Sequence, residues 1–205
     1  MTLSRKNLAL LALIASAAAG RGAIAQVGVP EQAASAGRDT TTHMAPVSLQ
    51  ADLSKRMIFV KRGGETIKTY QVAVGQERYP TPTGTFSIRK IVWNPSWHPP
   101  PGSAWAKGKT PKGPGEPGNP MKVVKMFFKE PDYYIHGTGD VGSLGEAESH
   151  GCLRMDPEEV ADLAKLVMTE GGEPREENWF WRLIHFRREQ KVVYLDQPVS
   201  LTITD

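Results

Sequence analysis

One cysteine, Cys152, stands in a chain of 205 residues. That scarcity excludes a disulfide within the chain and any multi-thiolate metal cluster. Surplus charge of one sign is also scarce. Lys and Arg number 25 against 22 Asp and Glu, for a net +3, but residues 1–25 hold Arg5, Lys6 and Arg21 and no acid. From residue 26 onward the balance is 22 against 22. No basic-patch argument for nucleic acid survives, and no nucleic-acid partner is expected. The extended apolar run from Leu8 to Ala19 is too short to span a bilayer. No internal repeat is visible, so solenoids and propellers are excluded as well.

What is present starts with that apolar run. It follows Arg5 and Lys6 and precedes Ala23-Ile24-Ala25, the layout of a secretory signal peptide with an A-x-A cleavage site. The expected organisation is a signal peptide over 1–25, a flexible leader over 26–46 and one domain over 47–205. The expected location is outside the cytoplasm, in the periplasm or cell envelope. In an exported chain an unpaired cysteine reads as an intermolecular link or a reactive thiol. His150, Gly151 and Arg154 beside it are poor company for a buried, inert cysteine.

The domain reads as mainly β with one or two helices. Met57 to Lys61 and Thr66 to Val74 flank Arg62-Gly63-Gly64-Glu65, a hairpin signal. Thr85 to Val92, Met121 to Phe127 and Tyr133 to Ile135 are further strand candidates; Lys191 to Leu195 and Val199 to Thr204 close the chain as two more, parted by Asp196-Gln197-Pro198. Asp156 is placed to cap a helix, with Pro157 at its first turn. Val160, Leu163, Ala164 and Val167 form its apolar face, and Gly171-Gly172 ends it. A second helix over Glu176 to Arg188 would turn Trp179, Leu183 and Phe186 inward. Trp93 to Pro120 holds eight of the sixteen prolines and no regular element. Its tryptophans, Trp93, Trp97 and Trp105, predict an ordered loop packed over something.

Chemistry concentrates in Ser149-His150-Gly151-Cys152-Leu153-Arg154 and in His136, sixteen residues upstream of Cys152. A thiol attacks carbonyl carbon as a thiolate, and an imidazole that takes its proton is the usual means of supplying one. Zinc on His136, His150 and Cys152 would lack a fourth ligand at any nearby spacing, so the residues predict neither metal nor cofactor. A papain-like peptidase would place its cysteine early and its histidine long after it, the reverse of the order here.

Ile135-His136-Gly137-Thr138 followed by Ser149 to Arg154 resembles the signature of the L,D-transpeptidase (YkuD-type) catalytic domain. Thr81-Pro82-Thr83-Gly84-Thr85-Phe86 and the segment Gly115 to Pro120 resemble two further landmarks of that family, in the expected order. The resemblance covers roughly Val47 to Val167 and implies a β-sandwich-like fold that remodels peptidoglycan without a cofactor. It implies that Cys152 attacks the third-residue carbonyl of a tetrapeptide stem, releases D-alanine and passes the acyl group to an amine. The acceptor would be a second stem peptide or a lysine of an envelope lipoprotein. Carboxypeptidase activity on the same bonds and a non-catalytic envelope-binding module are the alternatives.

His136 would then be the general base, its tautomer held by the carbonyl of Gly137. Gly151 would let backbone approach the substrate, with amides near Gly151 and Cys152 forming an oxyanion hole. Arg154 suits a substrate carboxylate, or else an ion pair with Asp156 or Glu158. His150 would shape the site and Ser149 would hydrogen-bond locally. Of Tyr133 and Tyr134, alternation places one in the core and one in the cleft. The segment 173–190 reads as a surface helix packed by its tryptophans, with a cap over the acceptor side of the cleft as the alternative.

Overall fold

The structure, a computed structural model, describes residues 45–186 and 188–205. The expected signal peptide and nearly all of the expected leader lie outside the described residues. Eight strands form one sheet in the order β3-β2-β1-β8-β4-β5-β6-β7. They are β1 Val47–Asp52, β2 Met57–Arg62, β3 Glu65–Gln71, β4 Gly84–Trp93, β5 Lys122–Lys129, β6 Tyr133–Gly137, β7 Leu153–Met155 and β8 Lys191–Thr204. Helices α1 (Pro157–Glu170) and α2 (Glu177–His185) lie between β7 and β8 in the chain. The β1–β8 and β6–β7 pairs are parallel and the others antiparallel. The expectation of a mainly-β domain with one or two helices holds, with two present.

Helix α1 explains how one sheet encloses a core. Asp156 caps it, accepting from the amides of Glu158 at 2.8 Å and Glu159 at 3.3 Å. Its apolar stripe, Val160, Leu163, Ala164, Val167 and Met168, is fully buried. On one side α1 packs against β5 and β6. On its other side Asp162 takes hydrogen bonds from Tyr70 (2.5 Å) and Lys68 (2.7 Å) of edge strand β3, and Glu170 pairs with Arg62 of β2. A sheet touching one helix with strands from both ends must curl around it, and that curl makes the core.

Two local expectations need correction, and one strand is unexpected. The two closing strands are one, β8, because the Asp196-Gln197-Pro198 segment is absorbed as a bulge. Its register against β4 jumps from Ile88–Val199 to Lys90–Tyr194. Pro198 has no amide to place in a ladder, and a bulge is where a strand tolerates that. In α2 the inward residue is Phe180 rather than Phe186: Phe180 is 3% exposed and Phe186 66%. The helix ends at His185, so Phe186 falls outside its periodicity. Trp179 and Leu183 do face the core. β7, only three residues long, has no signal in the sequence.

The proline-rich segment is ordered by two buried asparagines. Asn119 donates to the carbonyls of Pro95 and Gly113 (2.9 Å each) and accepts from the amide of Met121 at 2.8 Å. Asn94, at φ 47°, donates to the Leu183 carbonyl at 2.8 Å and so ties the loop to α2. Buried backbone carbonyls in irregular chain need such partners, and a carboxamide supplies several from one side chain.

Candidate active site

Cys152 stands just before β7, and β7 runs parallel to β6 with Ile135 opposite Leu153 and His136 opposite Arg154. The parallel register therefore brings the two motifs of the sequence side by side. The segment before Cys152 is clamped by the chain after β3. Ser149 donates its amide to Val74 (2.9 Å) and accepts from Gln76 (3.0 Å), while Ala73 and Arg154 exchange both their backbone hydrogen bonds. Thr81, buried in its turn, accepts the amide of Gly75 at 2.8 Å and so fixes this clamp.

Gly151 sits at φ +103°, buried, and a Cβ there would stand 2.8 Å from the Tyr133 ring and 3.3 Å from the Pro80 carbonyl. Only glycine meets both the conformation and the space. Ser149 bridges the turn, its hydroxyl donating to the Cys152 carbonyl at 2.5 Å and accepting the Gly151 amide at 3.0 Å. That last bond corrects the oxyanion expectation in part, because the Gly151 amide is already engaged.

Cys152 and His136 line the same cleft, of about 870 Å³, a size suited to a peptide or drug-sized ligand. His136 is buried, with Nδ1 2.9 Å from the Gly137 carbonyl oxygen, which leaves Nε2 as the proton acceptor. Burial pushes its pKa down to about 4, opposed by the Gly137 bond and aided by the charges of Arg154 and Lys125. The partly exposed Cys152 donates its thiol proton to the Asp132 carbonyl at 3.3 Å. Desolvation pushes that thiol up to about 12, against the Tyr134 amide hydrogen bond and the charges of Arg154 and Lys125. At neutral pH the pair rests as thiol and neutral imidazole.

The other expected residues fall around this pair. Tyr133 and Tyr134 both line the cleft, contrary to strict alternation. The β5–β6 register shifts between Phe127 and Lys129, opposite these two residues, and a bulge breaks the two-residue period. Tyr134 packs edge-on to His136 with centroids 5.5 Å apart, and its hydroxyl is raised by burial and then by Cys152. Arg154 lines the cleft and meets Asp140 at 3.7 Å, not Asp156 or Glu158. His150 is stacked on Trp105, centroids 4.0 Å apart and planes 22° apart, with Tyr79 at 5.0 Å on another side. Burial, then the charges of Arg154 and Lys109, lower its pKa. The tryptophan of the long loop thus roofs the cysteine segment through His150. None of the described residues in 173–190 lines the cleft, so the cap alternative for that segment has no geometric support.

Sequence reasoning passed over Tyr79, Asp132, Asp140 and Lys122, all of which line the cleft. Their only sequence signal is proximity to the motifs already named. Among the described residues no three His, Cys, Asp or Glu side chains are grouped to hold a metal ion.

The YkuD protein of Bacillus subtilis (strain 168), whose name carries an L,D-transpeptidase assignment, is 28% identical over 122 residues, 60% of this chain and 61% of that one. A Fuscovulum blasticum protein with the same assignment, from the ATP synthase subunits region, is 37% identical over 87 residues, 42% of this chain and 46% of its own. The chain thus spans about three-fifths or less of these curated relatives. Among solved structures, an L,D-transpeptidase from Mycobacterium smegmatis aligns with a TM-score of 0.49 at 18% identity, covering 78% of this chain and 59% of that one. The catalytic domain of the E. faecium L,D-transpeptidase aligns at 0.44 and 16%, covering 79% and 99%. The family described as YkuD, L,D-transpeptidase catalytic domain, matches residues 46–181, well over half of the sequence, and the chain belongs to that family.

Proposed function

We propose that the protein is a cysteine-dependent acyltransferase that remodels peptidoglycan, and that it acts in the cell envelope after export. The observation that carries this reading is the meeting of Cys152 and His136 in one cleft, with His136 Nδ1 oriented by Gly137 so that its other nitrogen is the basic one. In the proposed donor step, Cys152 sulfur attacks the third-residue carbonyl of a tetrapeptide stem while its proton passes to His136. The tetrahedral oxyanion is met by the Cys152 amide, since that of Gly151 is held by Ser149. Collapse expels the amine of D-alanine, which takes the proton from His136 and leaves a thioester on Cys152. An amine acceptor then attacks the thioester, gives up a proton to His136 and regenerates the thiol.

Arg154 is the proposed partner for a donor carboxylate. Its present ion pair with Asp140 is long and Asp140 is largely exposed, so an incoming carboxylate can take its place at small cost. His150 and Ser149 act as positioning residues, His150 by carrying the Trp105 roof and Ser149 by holding the Gly151 turn. Acceptors would be a second stem peptide or a lipoprotein lysine; water in their place gives carboxypeptidase activity.

The test is intact-protein mass spectrometry with disaccharide-tetrapeptide, alongside Cys152→Ala. The expected result is an acyl adduct on the wild type alone, with D-alanine released. Dimer or tripeptide among the products distinguishes transfer from hydrolysis. Turnover by Cys152→Ala at the wild-type rate would sink the assignment.

A further inference from the structure

The cleft is more cationic than the chain around it. Lys109, Lys112, Lys122 and Arg154 line it against Asp132 and Asp140, four cations to two acids. Arg154 is paired, at 3.7 Å, with Asp140. Among the described residues no carboxylate lies within ion-pair range of Lys109, Lys112 or Lys122. Lys109 is partly satisfied by the Trp105 face, 5.2 Å from the ring centroid. Among the described residues neither Lys112 nor Lys122 has an acid or a ring over it, and it is Lys122 that runs beside Gly139, next to Asp140.

Its position is built by two glycines. Lys122 pairs with Gly137 in the β5–β6 ladder, where a Cβ on Gly137 would stand 2.4 Å from the Lys122 carbonyl oxygen. The side chain then runs across Gly139, where a Cβ would stand 2.9 Å from Lys122 Cε and 3.9 Å from Nζ. Gly139 immediately precedes Asp140, the partner of Arg154. Lys122 and Arg154 therefore flank the same short segment, residues 138–140, and both reach the cleft that holds Cys152.

We propose that Lys122 is a specificity-determining residue: with Arg154 it forms a two-cation seat for an acyl donor that bears a free carboxylate on the side chain of the attacked residue. A carboxamide or a simple aliphatic amine at that place is discriminated against. The inference rests on the proposed role of Cys152, because only that role places the attacked residue beside this seat. A carboxylate gains charge-assisted hydrogen bonds that its neutral isostere cannot make, and one free cation with no competing acid is what reads that difference.

The experiment measures binding and chemistry separately. Calorimetric titration of Cys152→Ala uses a tetrapeptide ending in diaminopimelate and D-alanine, once with the side-chain carboxylate free and once amidated. The free acid should bind more tightly by roughly tenfold or more. Adding Lys122→Met should bring the ratio near one, and Lys122→Arg should restore it. Gly139→Ala keeps every charge but displaces the lysine, and should also lower the ratio. Equal affinity for the two peptides, or a preference that survives Lys122→Met, overturns the inference. The wild type incubated with the same peptides reports on Cys152 through its mass. An acyl adduct without any preference removes the seat and keeps the nucleophile. A preference without any adduct keeps the seat and removes the nucleophile.

Discussion

Alkylation of Cys152 is the sharpest probe of the resting site. Desolvation raises the thiol from 9.0 to about 12, so the thiolate population at pH 7.5 falls about a thousandfold below that of an unperturbed thiol. A thiolate of higher pKa is intrinsically the better nucleophile, which recovers roughly twentyfold at a Brønsted slope of 0.4–0.5. The net expectation is alkylation about fiftyfold slower than that of an unstructured cysteine peptide. Iodoacetamide labelling followed by intact mass, from pH 6.5 to 10.5, should show a rate still climbing at the upper limit. Arg154→Gln removes a charge that lowers the thiol pKa, and should slow labelling further at every pH. A plateau below pH 8 would refute the reasoning, because it would require a thiolate–imidazolium pair already formed at rest.

Three further outcomes follow from the packing and the burial. Gly151→Ala sets a methyl at φ +103° and 2.8 Å from the Tyr133 ring, a strain of about 1–3 kcal/mol. Denaturant titration should find that loss, and an unchanged midpoint with full activity would contradict it. Trp93→Ala empties a fully buried site that contacts Met168, Trp179 and Phe180 and should cost about 3–5 kcal/mol by the same titration, with α2 protection in hydrogen exchange falling first. His136 has its folded pKa depressed from 6.5 to about 4, so the unfolded chain binds the extra proton between those values. The corresponding stability is complete above pH 6.5, is lost as pH falls toward 4 and amounts to about 3 kcal/mol. Denaturant midpoints at pH 4 and 7 should show it, and His136→Gln should flatten the difference.

How much of this could be read from the sequence depends on whether a feature is local. Helix α1 is legible because cap, proline, acidic first turn and apolar stripe all lie within one stretch of chain, from Asp156 to Gly172. The β2–β3 hairpin is legible for the same reason, Gly63 and Gly64 both taking positive φ at its turn. What escapes is set by partners distant in sequence. β7 is a strand only because β6 and Ala73 flank it, and nothing in Leu153-Arg154-Met155 announces that. The outward turn of Phe186 is decided by where α2 stops, and the facing of Tyr133 by a bulge in the strand beside it. In the site, the spacing of His136 and Cys152 points to the chemistry, but the roof needs Trp105 and His150 to meet across 45 residues. Likewise the engagement of the Gly151 amide by Ser149 is a matter of turn geometry, invisible to a motif.

The neutral resting pair bears on how the proposed reaction is driven. With the thiol pushed up to about 12 and the imidazole down to about 4, transfer of the proton before attack is disfavoured, since it would create two charges away from bulk water. Attack on a carbonyl changes that balance. As the C–S bond forms, negative charge leaves sulfur for the carbonyl oxygen, where a backbone amide can meet it. The imidazolium that forms is then offset by an oxyanion that is itself hydrogen-bonded. In the proposed reaction, proton transfer and bond formation therefore proceed together, with His136 as a general base within the attack rather than a generator of free thiolate before it. The consequence is selectivity of reaction. Small oxidants and alkylating agents, which demand a thiolate beforehand, find little of one on Cys152. In the proposed reaction a positioned acyl donor supplies the sink for the charge and so draws the nucleophile out only when that donor is bound.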